Sequence, residues 1–507
     1  MQYVLSRYLE SLARGASHGS AVRLAAESIA SDPWQVVTEA GLLARARPAV
    51  ATSDLGLTPA LRPVEPDDHR AIVRIDEGQP YPYLDVNERR RMGAFDTPRD
   101  LARRLARSTI GATDCARRAL DPTCGAGAFL VAMAEAGVPE VAGGDIDPVA
   151  VEVARVACPR ARVEVSDALE PGPEADIVCG NPPFVRSELQ DPGLRAAMRA
   201  RLPWLQGRFD LVVPFAALAA ERVRSGGALG LVLPFSVFVQ PYAAELRRLW
   251  LHTHGVRELS GPHPFGGAAV KVGTVVLRIG ARTHAWPADD ALRLPNAPLS
   301  PGLQPGDVEI VDRMLARSVP LGSLCEVDTG LVAHGRGGGK ARLLVAAPTS
   351  ETVPFADARD FFAGTNRWLL YRPAEMHRPK RPELFESDKL VIQRLRGDSP
   401  VRAAVDRSGI YVGHTCTVAR PWGPGLDLDA LVEIVRSPLV DGFIRIRCGA
   451  RLDLYPRDVR SIPVPERWLV DPTVDLAEAF DLDSRAVDRL ADVAAPQAGA
   501  WRRATKP

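Results

Sequence analysis

Asp121-Pro122-Thr123-Cys124-Gly125-Ala126-Gly127-Ala128-Phe129-Leu130 follows the run Arg118-Ala119-Leu120. It reads as a short buried strand that turns on two glycines into a helix, the opening step of a parallel α/β sheet. The glycines let the backbone pass close to a ligand, and the new helix N-terminus offers unpaired N–H groups. Outward from this turn, the chain from Asn87 to about Gly280 alternates apolar runs with helical stretches. The runs are Arg118–Asp121, Val141–Asp145, Ala161–Val165, Ala175–Cys179, Gly227–Pro234, Val256–Ser260 and Gly273–Ile279. They predict a doubly wound sheet of about seven strands.

Polar residues end successive runs. Asp145 closes the second, where a carboxylate can take both ribose hydroxyls of a nucleoside. Asp167 closes the third and can accept from an adenine amine, whereas Asp176 shapes the start of the fourth. Beyond the fourth run stands Asn181-Pro182-Pro183-Phe184. As a bare tetrapeptide this is equally ordinary turn chemistry. At a strand edge it also suits a planar amine: the Asn181 side-chain oxygen and the Pro182 carbonyl can accept its two N–H groups, and Phe184 can stack on its ring. The glycine turn lacks the third Gly of the dinucleotide fingerprint. Its order, Asp-x-x-x-Gly-x-Gly, acid, acid, then Asn-Pro-Pro-Phe, points to S-adenosylmethionine rather than NAD.

In that order the chain resembles the amino-group DNA methyltransferases of the adenine-N6 type, in the gamma arrangement of TaqI-type enzymes. Gly93-Ala94-Phe95-Asp96-Thr97-Pro98 resembles the family's Gly-x-(Tyr/Phe)-x-Thr-Pro motif. Asp96 departs from the aromatic or small polar residue of many relatives, so Thr97 and Pro98 carry that assignment. The resemblance implies that Thr97, Pro98, Asp121, Thr123, Gly125, Gly127, Asp145, Ile146 and Asp167 bind S-adenosylmethionine. It implies that Asn181, Pro182, Pro183 and Phe184 are catalytic. Gly261-Pro262-His263-Pro264-Phe265 is similar to the family's late aromatic motif, which makes Phe265 a second stacking partner for the target base. Pro382–Phe385, Lys389–Val391, Ala403–Val412 and Tyr455–Pro465 resemble, more loosely, a TaqI-type target-recognition domain. The implied reaction is direct SN2 methyl transfer to an adenine flipped out of duplex DNA, with no metal.

The expected organisation is a helical N-terminal segment and irregular stretch over 1–86, with no assigned role. A Rossmann-like methyltransferase domain follows over 87–284, then a linker over 285–306. An α+β DNA-recognition domain occupies 307–468 and a helical tail 469–507. The formal charge of +1 does not announce a nucleic-acid binder. Between Asn366 and Arg467, however, eighteen Lys/Arg face thirteen Asp/Glu, an excess able to neutralise some phosphates. Arg394, Arg396, Arg445, Arg447, Arg451 and Arg457 are candidate DNA contacts, each also readable as an ordinary surface residue. His334-Gly335-Arg336-Gly337-Gly338-Gly339-Lys340 is not a phosphate loop, because Ala341 replaces Ser/Thr and the first glycine position falls on His334. Arg336 and Lys340 are expected on a DNA-facing loop.

Seven cysteines without a Cys-x-x-Cys pair argue against a disulfide framework or structural zinc. No apolar run reaches the ~18 residues of a membrane span, and no secretory signal is visible. The expected compartment is the cytoplasm. The expected partners are double-stranded DNA and a separately encoded restriction endonuclease or defence proteins. The first lysine is Lys271, which argues against an N-terminal nuclease needing a metal-site lysine. Other readings are an N4-cytosine DNA methyltransferase, an RNA guanine-N2 or protein glutamine methyltransferase, and a non-enzymatic DNA-binding subunit of a defence complex. Asn-Pro-Pro-Phe disfavours the first of these. The motif around Thr97 and the long C-terminal region disfavour the second. Intact Asn181, Pro182 and Phe184 disfavour the third.

Overall fold

The computed structural model describes residues 4, 7, 8, 11, 14–45, 97–265, 268–335, 343–395, 399–449, 451 and 453–494. Gly93 to Asp96, Arg336, Lys340 and Arg396 lie outside the described residues. The chain divides into two compact units, Met1–Leu292 and Arg293–Pro507.

The first unit is built on seven strands: β1 (Arg118–Asp121), β2 (Glu140–Asp145), β3 (Arg162–Val165), β4 (Ala175–Gly180), β5 (Val223–Pro234), β6 (Gly255–Phe265) and β7 (Ala268–Arg278). Their order is β3-β2-β1-β4-β5-β7-β6. β1 to β5 pair in parallel, and β7 runs antiparallel to both β5 and β6. Parallel strands covered by helices on both faces read as continuous apolar runs. β4 is such a strand: Ile177, Val178 and Cys179 are fully buried. Order reverses between β1 and β4, and a doubly wound sheet opens its ligand crevice at the carboxyl ends of the strands there. Asp176 fixes the opposite end, accepting the backbone N–H groups of Arg117 and Arg118 at 3.1 and 2.9 Å.

Four helices matter for the site. α1 (His18–Glu27) belongs to the N-terminal segment; α2 (Arg99–Gly111) precedes β1; α3 (Ala128–Glu135) follows it; α4 (Pro148–Ala157) follows β2. Asp147 caps α4 by accepting from Val149 N at 2.9 Å, with Pro148 at the first helical position.

Two expected boundaries differ. The N-terminal segment is not separate from the sheet: Val22, Ala25, Trp34 and Val37 lie in one buried apolar cluster with Phe129, Leu130, Val151 and Ala154. Its apolar face, legible as a helix, finds its partner in α4, more than a hundred residues away, which local patterning cannot show. The stretch read as a linker over 285–306 is folded, with a helix at Ala288–Arg293 and Leu294, Leu299 and Leu303 buried. Its prolines interrupt regular structure without exposing its leucines.

The second unit mixes helices and strands. One antiparallel four-stranded sheet orders Ala403–Asp406, Lys389–Gln393, Cys416–Pro421 and Cys325–Thr329. A second orders Leu344–Val345, Arg367–Leu370, Thr352–Ala356 and Tyr411–Val412. The expected tail is an integral helix, Ser484–Ala494, packed on Pro438–Cys448; its Arg489 pairs with buried Asp307 at 2.7 Å.

Candidate active site

At the switch point, β1 delivers Asp121, which is 1% exposed. Its Oδ1 accepts from Thr123 N at 3.1 Å and so starts the glycine turn. Cys124 N donates to Gly144 O and Gly127 N to Cys124 O, both at 2.8 Å, tying the turn to β2 and closing it. Gly125 and Gly127 have φ of +50° and +97°, left-handed geometry that L-residues with a Cβ resist. Gly127 also caps α3 with no side-chain acceptor. The first-turn N–H groups of α3 therefore receive no cap from the residue before them, as an anion-binding helix start requires.

Asp145 lies at the end of β2 and grips the same turn. Its Oδ2 accepts from Gly125 N at 2.8 Å and its Oδ1 from Asp147 N at 2.9 Å. Burial raises the Asp145 carboxyl above its ordinary range despite these backbone N–H groups. Burial acts more strongly on Asp121, whose pKa rises to about 8, with the nearby Asp145 adding to it. Two adjacent acids short of positive charge fit a ligand that brings its own. Asp167 accepts from Leu169 N at 2.9 Å beyond β3, and Ile146 beside Asp145 is 67% exposed.

β4 closes the constellation. A Cβ at Gly180 would lie 2.6 Å from Asp121 Oδ1, so only glycine lets the end of β4 lie against that carboxylate. Asn181, the next residue, thereby reaches the cleft of the glycine turn. Val37, Thr97, Asp121, Thr123, Cys124, Gly125, Ala126, Ala128, Phe129 and Asn181 line it. Pro98 is exposed just ahead of α2, Pro182 is buried, and Pro183 and Phe184 are half-buried.

The residues after the turn are clamped. Val185 O accepts from Leu211 N at 2.9 Å, and Gln190 Nε2 bridges Val185 O and Phe209 O. Asp210 accepts from Ser187 N at 3.2 Å and from the Tyr242 hydroxyl, which also bonds Ser236 at 2.9 Å. Burial raises the pKa of both Asp210 and Tyr242. Sequence reading missed Asp210 and Val37. An acid just ahead of the apolar helix Val212–Glu221 was the available signal for Asp210; none existed for Val37.

Phe265 lies 6.3 Å from Phe184, centroid to centroid, with the rings tilted by 42°. It is 1% exposed and belongs to the core cluster. As it stands the Phe265 ring is part of the core, and Phe184 is the more accessible of the two rings.

The arginines of the second unit also divide. Arg451, expected as a DNA contact, is 4% exposed and pairs with Asp458 at 2.6 Å; its guanidinium is an internal strut and reaches no surface. Arg445 is held by Asp441 and Ser399 O. Arg394 donates to His414 O and lies 5.0 Å from the Tyr455 ring, which Arg451 and Arg457 also approach. Pairing within the second unit, from the i,i+4 acid Asp441 to the distant carbonyls of Ser399 and His414, occupies these cations. Arg457, with half its side chain exposed, and half-buried Arg447 remain accessible. Among the described residues, no cluster of His, Cys, Asp and Glu could hold a metal, and no helix is long and apolar enough to cross a membrane.

Residues 172–261, which include Asn181 to Phe184, match the family model of the Eco57I restriction-modification methylase. The type II methyltransferase M.XhoI of Xanthomonas vasicola is 38% identical over 74 residues, 15% of this chain and 14% of that protein. M.BstVI of Geobacillus stearothermophilus is 33% identical over 88 residues, 17% of this chain and 16% of that protein. The chain thus matches well under two thirds of these relatives' length. Among solved structures, the type IIL restriction-modification enzyme MmeI in complex with DNA superposes with a TM-score of 0.54 at 15% identity, covering 81% of this chain and 77% of that one. At that identity the likeness is one of fold.

Proposed function

We propose that this chain is a DNA methyltransferase of restriction-modification type that methylates the N6 amine of adenine using S-adenosylmethionine. The observation that carries the reading is the approach of β4 to Asp121, which brings Asn181 into the cleft of the glycine turn. The Eco57I-type match over residues 172–261, which include β4 and Asn181 to Phe184 but not the glycine turn, supports the methylase class.

The cleft fits the cofactor on structural grounds. Left-handed Gly125 leaves part of its wall without a side chain, the start of α3 carries no side-chain cap, and the buried acid Asp121 lines it with half-buried Asp145 close by. Thr97, Pro98, Asp121, Thr123, Gly125, Gly127, Asp145, Ile146 and Asp167 would hold the nucleoside and methionine parts. When bound, S-adenosylmethionine supplies an electrophilic methyl group on a sulfonium. The chain's own task is orientation. Asn181 Oδ1 and the Pro182 carbonyl accept the two N–H groups of the target amine and turn its lone pair toward the cofactor, and Pro183 stiffens the turn. Phe184 stacks on the base and offsets part of the cost of flipping, at roughly 1–3 kcal/mol per contact. Near-attack positioning supplies much of the acceleration.

Residues 307–468 would read the DNA, with Arg447 and Arg457 as accessible cations and Arg336, Lys340 and Arg396 as further candidates. The setting would be restriction-modification or phage defence in the cytoplasm, beside a separately encoded nuclease. Asn181→Ala is expected to abolish methyl incorporation into plasmid DNA while S-adenosylhomocysteine still binds. Digestion of methylated DNA to nucleosides should yield N6-methyladenine. Normal turnover of the variant would refute the orientation role, and N4-methylcytosine would refute the choice of base.

A further inference from the structure

The cleft has a wall that the strand edges do not supply. Val37 comes from the N-terminal segment, inside a π-helical turn at Val36–Ala40. Such turns are rare and concentrate at functional sites. Asp32 starts the approach by capping Pro33–Gln35, accepting from Trp34 N at 3.0 Å and Gln35 N at 3.2 Å. Trp34 then anchors the segment. Its indole N–H donates to Glu135 Oε1 at 2.8 Å. Glu135 is the last residue of α3, and Arg103 of α2 takes both its oxygens at 2.7 Å. The guanidinium carbons of Arg99 and Arg103 lie 5.4 and 5.3 Å from the Trp34 ring. On the other side, α1 packs on α4: Gly19 faces Val149, and Arg23 pairs with Glu152 at 3.2 Å.

The segment is therefore fastened to the two helices that follow the glycine turn and Asp145. The first of them begins at the cleft with Ala128, and Val37 lines the same cleft three residues after the Trp34 anchor. We propose that residues 14–45 are a working part of the cofactor site: Val37 is an apolar contact for bound S-adenosylmethionine, and docking of the segment and binding of the cofactor reinforce each other. This rests on the reading of the cleft as a cofactor site. Linkage makes the coupling reciprocal: if the docked segment tightens the cofactor, the cofactor tightens the docked segment by the same factor. A partner that displaced the segment would lower cofactor affinity without touching the strand edges.

Hydrogen exchange on the full chain, with and without saturating S-adenosylhomocysteine, tests this directly. Slowed exchange both at residues 123–127 and at residues 34–40 is the expected result. Protection of 123–127 with unchanged exchange at 34–40 overturns the inference and leaves the cofactor reading standing. Protection of neither overturns the cofactor reading, and the inference with it. Val37→Ala, which keeps an apolar residue in the core, should weaken S-adenosylhomocysteine by several-fold up to roughly tenfold, as expected for trimming an apolar contact of this size. An unchanged affinity in a folded variant also overturns the inference.

Discussion

Gly127→Ala puts the glycine turn under a test whose size follows from its geometry. At φ +97° and ψ 19° an alanine is left-handed, a conformation that costs an L-residue roughly 1–2 kcal/mol. The new Cβ would also lie 3.3 Å from both Cα and Cβ of Ala154. Ala154 is buried in α4, so backbone rather than a swinging side chain must give way, and α3 and α4 must part by a few tenths of an ångström. Overpacking of that kind costs roughly 1–3 kcal/mol, which brings the total to about 2–5 kcal/mol. Gly125→Ala is the internal control. Its φ of +50° carries the same backbone penalty, but its Cβ meets nothing within 4 Å, so its cost stays near 1–2 kcal/mol. Differential scanning calorimetry of the full chain should show the first unit melting roughly 5–10 °C lower in Gly127→Ala. Gly125→Ala should lose about half as much, and the second unit's transition should not move. Equal losses at the two glycines would refute the argument that α4 blocks the space above Gly127.

Three further outcomes follow from charges in the two units. Asp145→Ala removes the acceptor of both Gly125 N and Asp147 N; S-adenosylhomocysteine should bind at least about tenfold more weakly by titration calorimetry, and unchanged affinity would remove Asp145 from the site. With its pKa near 8, Asp121 is protonated in the empty protein at pH 7. Its ionisation is therefore a cost to folding that is absent below about pH 4, the unfolded value, and is fully felt once pH has risen through 8. A cationic ligand favours the carboxylate, so S-adenosylmethionine should release up to one proton on binding at pH 7. Binding enthalpies measured in phosphate and in Tris should differ accordingly, and equal enthalpies would refute the pairing. In the second unit, Lys389→Met leaves buried Asp406 without its cation and should cost about 3–5 kcal/mol, read from that unit's melting transition. A loss under about 1 kcal/mol would show that Ser408 and Ile410, which also bond Asp406, hold the carboxylate alone.

The sheet was legible because its strands are short apolar runs and because polar residues fall one per strand end. That pattern led to the glycine turn, Asp145, Asp167 and Asn181. The long β6–β7 pair was read too short: Pro262 and Pro264 look like loop residues, yet both lie within β6. The N-terminal segment was legible as helical, but neither Trp34 nor Val37 nor the segment's partner was, since Glu135 lies 101 residues from Trp34 in sequence. Arg451 looked like surface charge until its burial beside Asp458 was seen, whereas the pairing of Arg445 with Asp441, four residues earlier on the same helix, was readable from the sequence. Periodicity reports which residues want burial; only the tertiary pairing reports against what.

The missing side chain at Gly180 has a consequence for control. The last residue of β4 rests on the Asp121 carboxylate, and Asn181 is its immediate neighbour. The spacing between the group that would meet the cofactor and the group that would hold the base is thus kept by one backbone resting on one carboxylate, with no flexible side chain as spacer. Whatever alters that carboxylate, whether a proton, a water or a cationic ligand, bears directly on the backbone that carries the amide. On the proposed reading the two halves of the site would share a single mechanical reference.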